Sequence, residues 1–438
     1  MPGFRPTRFR DVETMKKILI GTSALVAASA LAGVANAAEP LKLSVGGFGS
    51  VFVGYASQED KYLKGLRDFG DSSTEVSAVD VKGDNELHFK AKSTLDNGLT
   101  VGFKVEMEAG GKDPSGKVVD EYHISLGGAF GTIIAGADDN ALAAIANRAP
   151  HMGGRLLGAG LSDGDMVEGL WILKPKSLAA VDTASTPTAV TIEGAAGGYT
   201  TYVDTNGDSE SISYLTPAIA GFTLGATYVP DAKQGRNKAD QPFGKNTLDA
   251  YGVGLAYAGK FGDLGVNADI GWLTGDHPDA DSHNEYQAGL HLSYGGFMIG
   301  GGYRLIDQDY STATGTPAAT STKVVTSDAD AWEVGVGYKS GPYGIALGYT
   351  ETSIDKKRNI TTTTPVIAST ASSGKDKTRI VQLTSEYTMG PGVMLVGGLG
   401  YAKYDDKTIS GNAGLTADQR KLGKNSGWVA VTGLSLAF

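Results

Sequence analysis

Cysteine is absent from all 438 residues. No disulfide framework braces the fold, and thiol chemistry and cysteine-ligated metals are excluded. Long apolar runs are missing as well: beyond residue 37 nothing reaches the ~20 consecutive apolar residues of a membrane-spanning helix. Positive charge is in deficit, with 38 Lys and Arg against 48 Asp and Glu, and a net charge of −10 excludes nucleic acid as a partner. The six histidines, His88, His123, His151, His277, His283 and His291, show no H-E-x-x-H or comparable zinc spacing. No G-x-S-x-G elbow and no phosphate-binding glycine loop occurs, so no cofactor is expected. What is plentiful is glycine, 63 residues, and tyrosine, 19 against 13 Phe and 4 Trp.

The two ends of the chain point to export. From Met15 the sequence runs Lys16-Lys17, then an apolar stretch from Ile18 to Val34, then Ala35-Asn36-Ala37 before Ala38-Glu39-Pro40. A basic n-region, an apolar h-region and an A-x-A site make residues 15–37 a secretory signal peptide cleaved after Ala37. Residues 1–14, with Arg5, Arg8 and Arg10, read as an upstream start extension or as a long n-region. Removing residues 1–37 takes away five Lys or Arg and two Asp or Glu, leaving 401 residues of net charge −13. At the other end, GWVAVTGLSLAF places Trp428, Ala430, Thr432, Leu434, Leu436 and Phe438 on one parity. That strand resembles the C-terminal strand which outer-membrane barrels present to the barrel assembly machinery, with Phe438 as the assembly signal.

An exported chain without apolar helices spans a membrane only as a closed barrel, because each backbone N–H and C=O inside hydrocarbon needs a partner. Tight turns occur at Asp96-Asn97-Gly98, Gly127–Gly131, Pro217–Gly221, Gly259–Asp263, Gly295-Gly296, Lys339–Pro342 and Gly390–Gly392. Between them lie longer polar connections near residues 56–83, 109–117, 137–208, 230–245, 274–283, 306–328, 352–377 and 403–425. Seven turns and eight loops join sixteen strands; a hairpin hidden in 166–203 would make eighteen. The expected fold is all-β, a transmembrane antiparallel β-barrel of about 16 strands within residues 38–438, with short turns facing the periplasm and long loops outside. Alternation inside the strands excludes a soluble sandwich: Leu99, Val101, Phe103, Val105 and Met107 are apolar, while Lys104 and Glu106 sit between them. Charges are expected to avoid the outward parity throughout, since Lys or Arg there costs ~2–4 kcal/mol at the bilayer midplane. Aromatics fall into two girdles. Phe222, Tyr257, Tyr294, Tyr338, Tyr343, Tyr387 and Phe438 lie beside the turns, and Tyr55, Tyr228, Trp272, Tyr286, Tyr303, Trp332, Tyr349, Tyr401 and Trp428 lie toward the loops.

With DEYHISLGGAFGTIIAGAD (Asp120–Asp138) and SISYLTPAIAGFTLGATY (Ser211–Tyr228) the chain resembles the general porins of proteobacteria over essentially its whole mature length. The resemblance implies a homotrimer in the outer membrane, amid lipid and lipopolysaccharide, that passes small hydrophilic solutes and ions by diffusion. It also implies a third loop folded inward, here 137–208, although this one carries an unusual apolar stretch, Leu170-Trp171-Ile172-Leu173. The constriction candidates are Asp138, Asp139, Arg148, Arg155, Asp163, Asp165 and Glu168 from the loop, with Pro150-His151 close to the solute path. From the wall, by parity, come Lys42, His88, Lys90, Lys92, Lys104, Arg304 and Arg379. Inward acids are expected at Glu106, Glu121, Asp269, Glu285, Glu333 and Glu386. Net charge favours cations, the lysine wall favours anions, and the sign stays open. Asp204, Asn206 and Asp208 alternate as in calcium loops but lack the later bidentate Glu, so a polar surface turn is the better reading. A substrate-specific channel or receptor barrel, and a barrel hydrolase, are the alternative functions.

Overall fold

The computed structural model describes residues 40–68, 77–110, 119–153, 171–175, 178–180, 190–192, 200–232, 248–277, 280–309, 323–360, 374–411 and 417–438. The signal peptide, its cleavage site at Ala37 and residues 1–14 lie outside them.

Eighteen strands are present among the described residues. They are β1 (Lys42–Gln58), β2 (Val79–Thr94), β3 (Thr100–Glu108), β4 (Val119–Gly128), β5 (Gly131–Ala137), β6 (Leu178–Ala180), β7 (Val190–Ile192), β8 (Glu210–Leu215) and β9 (Phe222–Asp231). The chain continues with β10 (Leu248–Phe261), β11 (Leu264–His277), β12 (Ala280–Tyr294), β13 (Phe297–Asp309), β14 (Lys323–Ser340), β15 (Tyr343–Ile360), β16 (Asp376–Gly390), β17 (Val393–Asp405) and β18 (Lys424–Ala437). Sixteen of them close an antiparallel barrel; β6 and β7 pair only with each other inside the third loop. A hairpin does sit in 166–203, but it adds nothing to the wall. Closure joins β1 to β18, and Gly47 and Phe438 exchange backbone hydrogen bonds of 3.0 and 3.1 Å at the seam.

All seven short turns bring a glycine into the left-handed region: Gly98, Gly131, Gly221, Gly262, Gly295 with Gly296, Gly341 and Gly392. Hairpin turns of this twist require such backbone, which side-chain-bearing residues adopt at a cost. Several long connections are shorter than the sequence suggests. Strands β14 and β15 run 18 residues each because the hairpin keeps its ladder beyond the membrane edge. In contrast β5 and β8 have only 7 and 6 residues, so one side of the barrel is low.

Both girdles form as cross-strand stacks. Phe222 meets Tyr257, Phe297 meets Tyr338 and Tyr343 meets Tyr387 at ring separations of 4.5–5.0 Å beside the short turns. Toward the loops Tyr55 meets Trp428, Tyr228 meets Tyr251 and Trp332 meets Tyr349 at 5.0–5.3 Å. The expectation of an outward face free of charge needs correction. Glu351, Lys377, Arg379 and Lys403 share the outward parity of Tyr349, Val381 and Tyr401. They sit level with Trp332 or beyond it, at headgroup height, where the cost of a charge falls to ~0–1 kcal/mol.

Candidate pore constriction

The third loop enters the barrel after β5. Asn140 caps the helix Ala141–Ile145, its Oδ1 accepting from the N–H groups of Leu142 and Ala143 at 2.8 and 2.9 Å. From there the chain crosses the inner wall on a row of inward-facing glycines. A Cβ at Gly225, Gly252, Gly254, Gly300, Gly335 or Gly344 would stand 2.6–3.2 Å from Ala141, Leu142, Ile145, Arg148, Ala149 or Met152 respectively. At Gly289 it would collide with the Asn147 carbonyl. Glycine is needed here for close approach, not for turning.

Inward carboxylates hold this stretch. Asn147 donates its N–H and its amide to Asp269 Oδ1 at 2.5 and 3.0 Å. The N–H of Ala149 reaches Glu333 Oε1 at 3.1 Å, that of Met152 reaches Thr384 Oγ1 at 2.9 Å, and that of Gly153 reaches Glu386 Oε2 at 3.1 Å. Hydrogen bonds to charged acceptors are roughly twice as strong as neutral ones, so this seat is firm. Its course is level. The hydrogen-bonded rung through Gly225 passes Gly254, Gly271, Gln287, Arg304 and Ala331 and ends at Thr352, eight residues along β15 from Gly344. Strands tilted ~35–45° stagger a horizontal ring in this way, so the stretch runs parallel to the membrane.

The same loop touches the opposite wall. Trp171 and Ile172 are buried against Phe52 and Ala56 of β1, Ile380 of β16, Val396, Ala402 and Tyr404 of β17, and Val429 and Val431 of β18. Lys82 Nζ stands 4.9 Å above the Trp171 ring, and Leu173 N–H donates to Gln58 Oε1 at 2.8 Å. Trp171 and Ile172 of the unusual apolar stretch are thus an anchor, matched by an apolar patch of the inner wall. A return leg, 200–205, is clamped by Arg304. Its guanidinium is 3% exposed and reaches Glu285 and Asp204 at 2.6 Å each and Thr200 Oγ1 at 2.8 Å.

The wall of β2–β4 carries a cluster of inward charges. Lys104 Nζ lies 2.8 Å from Glu106, 2.9 Å from Glu121 and 3.8 Å from Asp138. His88 bridges Glu86 and Glu106 at 2.9 and 3.4 Å, and His123 lies 3.1 Å from Asp138. Following the same stagger around from β9 brings this cluster to the height of the loop. Lys90 faces Lys104 across the strands, and Lys42 faces Lys92 nearer the short turns.

The sequence-derived set therefore divides. Asp138, His88 and Lys104 meet in the cluster, and Asp139 lies beside it; Lys90 faces inward next to it, while Lys42 and Lys92 face inward nearer the short turns, away from the cluster. Arg148 instead stacks on Tyr202 at 3.6 Å. Arg304 keeps its inward parity but is buried as the clamp, and one wall assignment is corrected: Arg379 is on the lipid side, paired with Glu351 at 2.9 Å. Arg155, Asp163, Asp165 and Glu168 lie outside the described residues. Asp204, Asn206 and Asp208 do not converge, because Asp204 serves Arg304 and Asn206 bonds to Asn140 and the Asp138 carbonyl. Asp208 lies instead with Glu121 and Asp139, within a 4.8 Å triad. The expected inward acids Asp269, Glu333 and Glu386 prove to be loop anchors, a role whose sequence signal is the inward-parity glycine row beside them.

A family model described as Gram-negative porin matches residues 22–407. No curated protein matches the chain. Among solved structures, an anion-selective porin from Comamonas acidovorans is 18% identical, with 91% of this chain and 100% of that chain covered and a TM-score of 0.50. A loop-deletion mutant of OmpT, an outer membrane protein of Vibrio cholerae, is 15% identical, with 90% and 99% covered and a TM-score of 0.51. Both share the barrel fold, and the family match covers most of the chain: the chain belongs to the Gram-negative porin family and is an outer-membrane channel protein.

Proposed function

We propose that the neck of this passive channel lies between the Asn147–Gly153 stretch and the inner wall of β2–β4, and that it passes small cations more readily than anions. The observation that supports the sign is the charge count at that height: five carboxylates, Glu86, Glu106, Glu121, Asp138 and Asp139, against Lys90, Lys104 and Arg148. Low-dielectric walls focus that excess into the water between them. In a bilayer under a tenfold KCl gradient the reversal potential should carry the sign of a cation-preferring pore. Lys104→Gln should raise the cation-to-anion permeability ratio about twofold or more, and Glu106→Gln with Asp138→Asn should lower it. An anion-selective reversal potential in the unmodified protein would sink the reading.

A homotrimer is the assembly we propose, and the low side of the barrel supports it. The seven residues of β5 rise ~24 Å along the strand, and a ~40° tilt leaves ~18 Å of height, less than a ~25 Å apolar band. Strands that short are better covered by protein than by lipid. Native mass measurement in mild detergent should give three copies, and charged substitutions at Ile133 and Ile212, exposed at 38% and 53% on that side, should give single chains.

A further inference from the structure

The inner wall of β2–β4 sets carboxylates against one another. Glu86 faces Glu108, and Glu106 stands between His88 on one side and Glu121 on the other. Like charges directly opposite on a sheet repel unless a cation or a proton lies between them. Glu86 and His88 are two residues apart on one strand, so they project to the same face. That is a strand spacing, which a search for helical zinc motifs passes over. His88 Nε2 lies 2.9 Å from Glu86 Oε2, and its Nδ1 lies 3.4 Å from Glu106 Oε1. One ligand atom from each of these three residues is within 4.8 Å of the other two.

One oxygen of the set is left over. Glu106 Oε1 is engaged by Lys104 and His88, whereas its Oε2 has no hydrogen-bond partner among the described residues, on a side chain only 3% exposed. Glu121 opposite is a carboxylate too and donates nothing while ionised. A buried acceptor without a partner is costly, and a bound cation removes that cost. The donor types narrow the ion. One imidazole nitrogen with two carboxylate oxygens suits zinc and its first-row neighbours, whereas Mg²⁺ and Ca²⁺ take oxygen ligands in larger number. Ligand atoms around a tetrahedral zinc stand about 3.4 Å apart. The contacts of His88 with its two acids are already close to that spacing, and the two carboxylates match the charge of the ion. Three protein ligands leave a fourth position open, and His88, its side chain 12% exposed, is where the set meets the lumen.

We infer that Glu86, His88 and Glu106 bind one divalent transition-metal ion of the zinc type on the inner wall of the channel. The untagged, folded protein in mild detergent is stripped with EDTA, desalted and dialysed against Zn²⁺ in the presence of millimolar Mg²⁺. It should take up one zinc per chain. His88→Gln and Glu106→Gln should each lower zinc affinity about tenfold or more, whereas His291→Gln, inward on β12, should leave it unchanged. Unchanged affinity in a folded His88→Gln protein overturns the inference. So does an unmodified protein that takes up no zinc, which would mark His88 as an imidazolium bridging two carboxylates, and so does displacement of zinc by the magnesium, which would mark a diffuse acidic patch. Heat-modifiable mobility reports whether each variant keeps its barrel. Should the variants lose it, X-ray absorption of the zinc-loaded unmodified protein decides: one imidazole nitrogen among oxygen ligands is expected, and none or several overturn the site. The site stands on its own geometry, but its effect on transport rests on the neck proposed above. With the neck there, bound zinc should shift the reversal potential toward anions; zinc uptake without that shift keeps the site and overturns the position of the neck.

Discussion

Gly289→Val should lower single-channel conductance at least twofold while leaving the barrel folded. Residue 289 faces inward on β12, and its side chain would occupy the space of the Asn147 carbonyl. The wall cannot give way, since β12 is hydrogen-bonded on both sides to β11 and β13. The loop must move, and the nearest free direction is into the neck. Overpacking of this kind costs ~1–3 kcal/mol, which a sixteen-stranded ladder absorbs. Planar-bilayer conductance paired with heat-modifiable electrophoresis checks both halves of the expectation. Unchanged conductance in a folded barrel would show that the Asn147–Gly153 stretch does not bound the neck.

Trp171→Ala should release the other attachment of the loop. The ring is 6% exposed among residues of four strands, and truncating a buried Trp costs ~3–5 kcal/mol. The loss falls on local opening of the loop and not on unfolding of the barrel, whose strands keep every backbone partner. Hydrogen exchange at Leu173, whose N–H is held by Gln58, should therefore speed up by ~100- to 1000-fold. Amides of β1 and β18 should keep their protection. Conductance should also become noisier as the released segment moves in the lumen.

Much of this architecture was legible in the order of residues. The parity of Leu99–Met107 and the glycines of the seven turns follow from a backbone that alternates and must reverse sharply, both local properties. The site was legible only in part because its contacts are not local. Asn147 and Asp269 lie 122 residues apart, and the stagger that brings them together depends on the register of the whole barrel. Lys104 read as part of a basic wall; its partners Glu121 and Asp138 belong to other segments, and together with Glu106 they reverse the local sign. Arg379 is expected inward by parity, and the structure turns it outward. Its own neighbours Val381 and Leu383 set the opposite parity, and height along the strand, not facing, is what makes the charge tolerable.

Strands β5 and β8 pair directly, although residues 138–209 separate them in the chain. The third loop is therefore an insertion between adjacent staves, leaving and rejoining the wall at one seam. Closing a longer excursion costs little, only ~0.6 kcal/mol for each doubling of its length. Loop and wall are then separable parts: insertions, deletions and new anchors in the loop leave the hydrogen-bond register of the barrel untouched. A channel built this way can change its filter by small edits in one segment, with no need to rebuild the vessel around it.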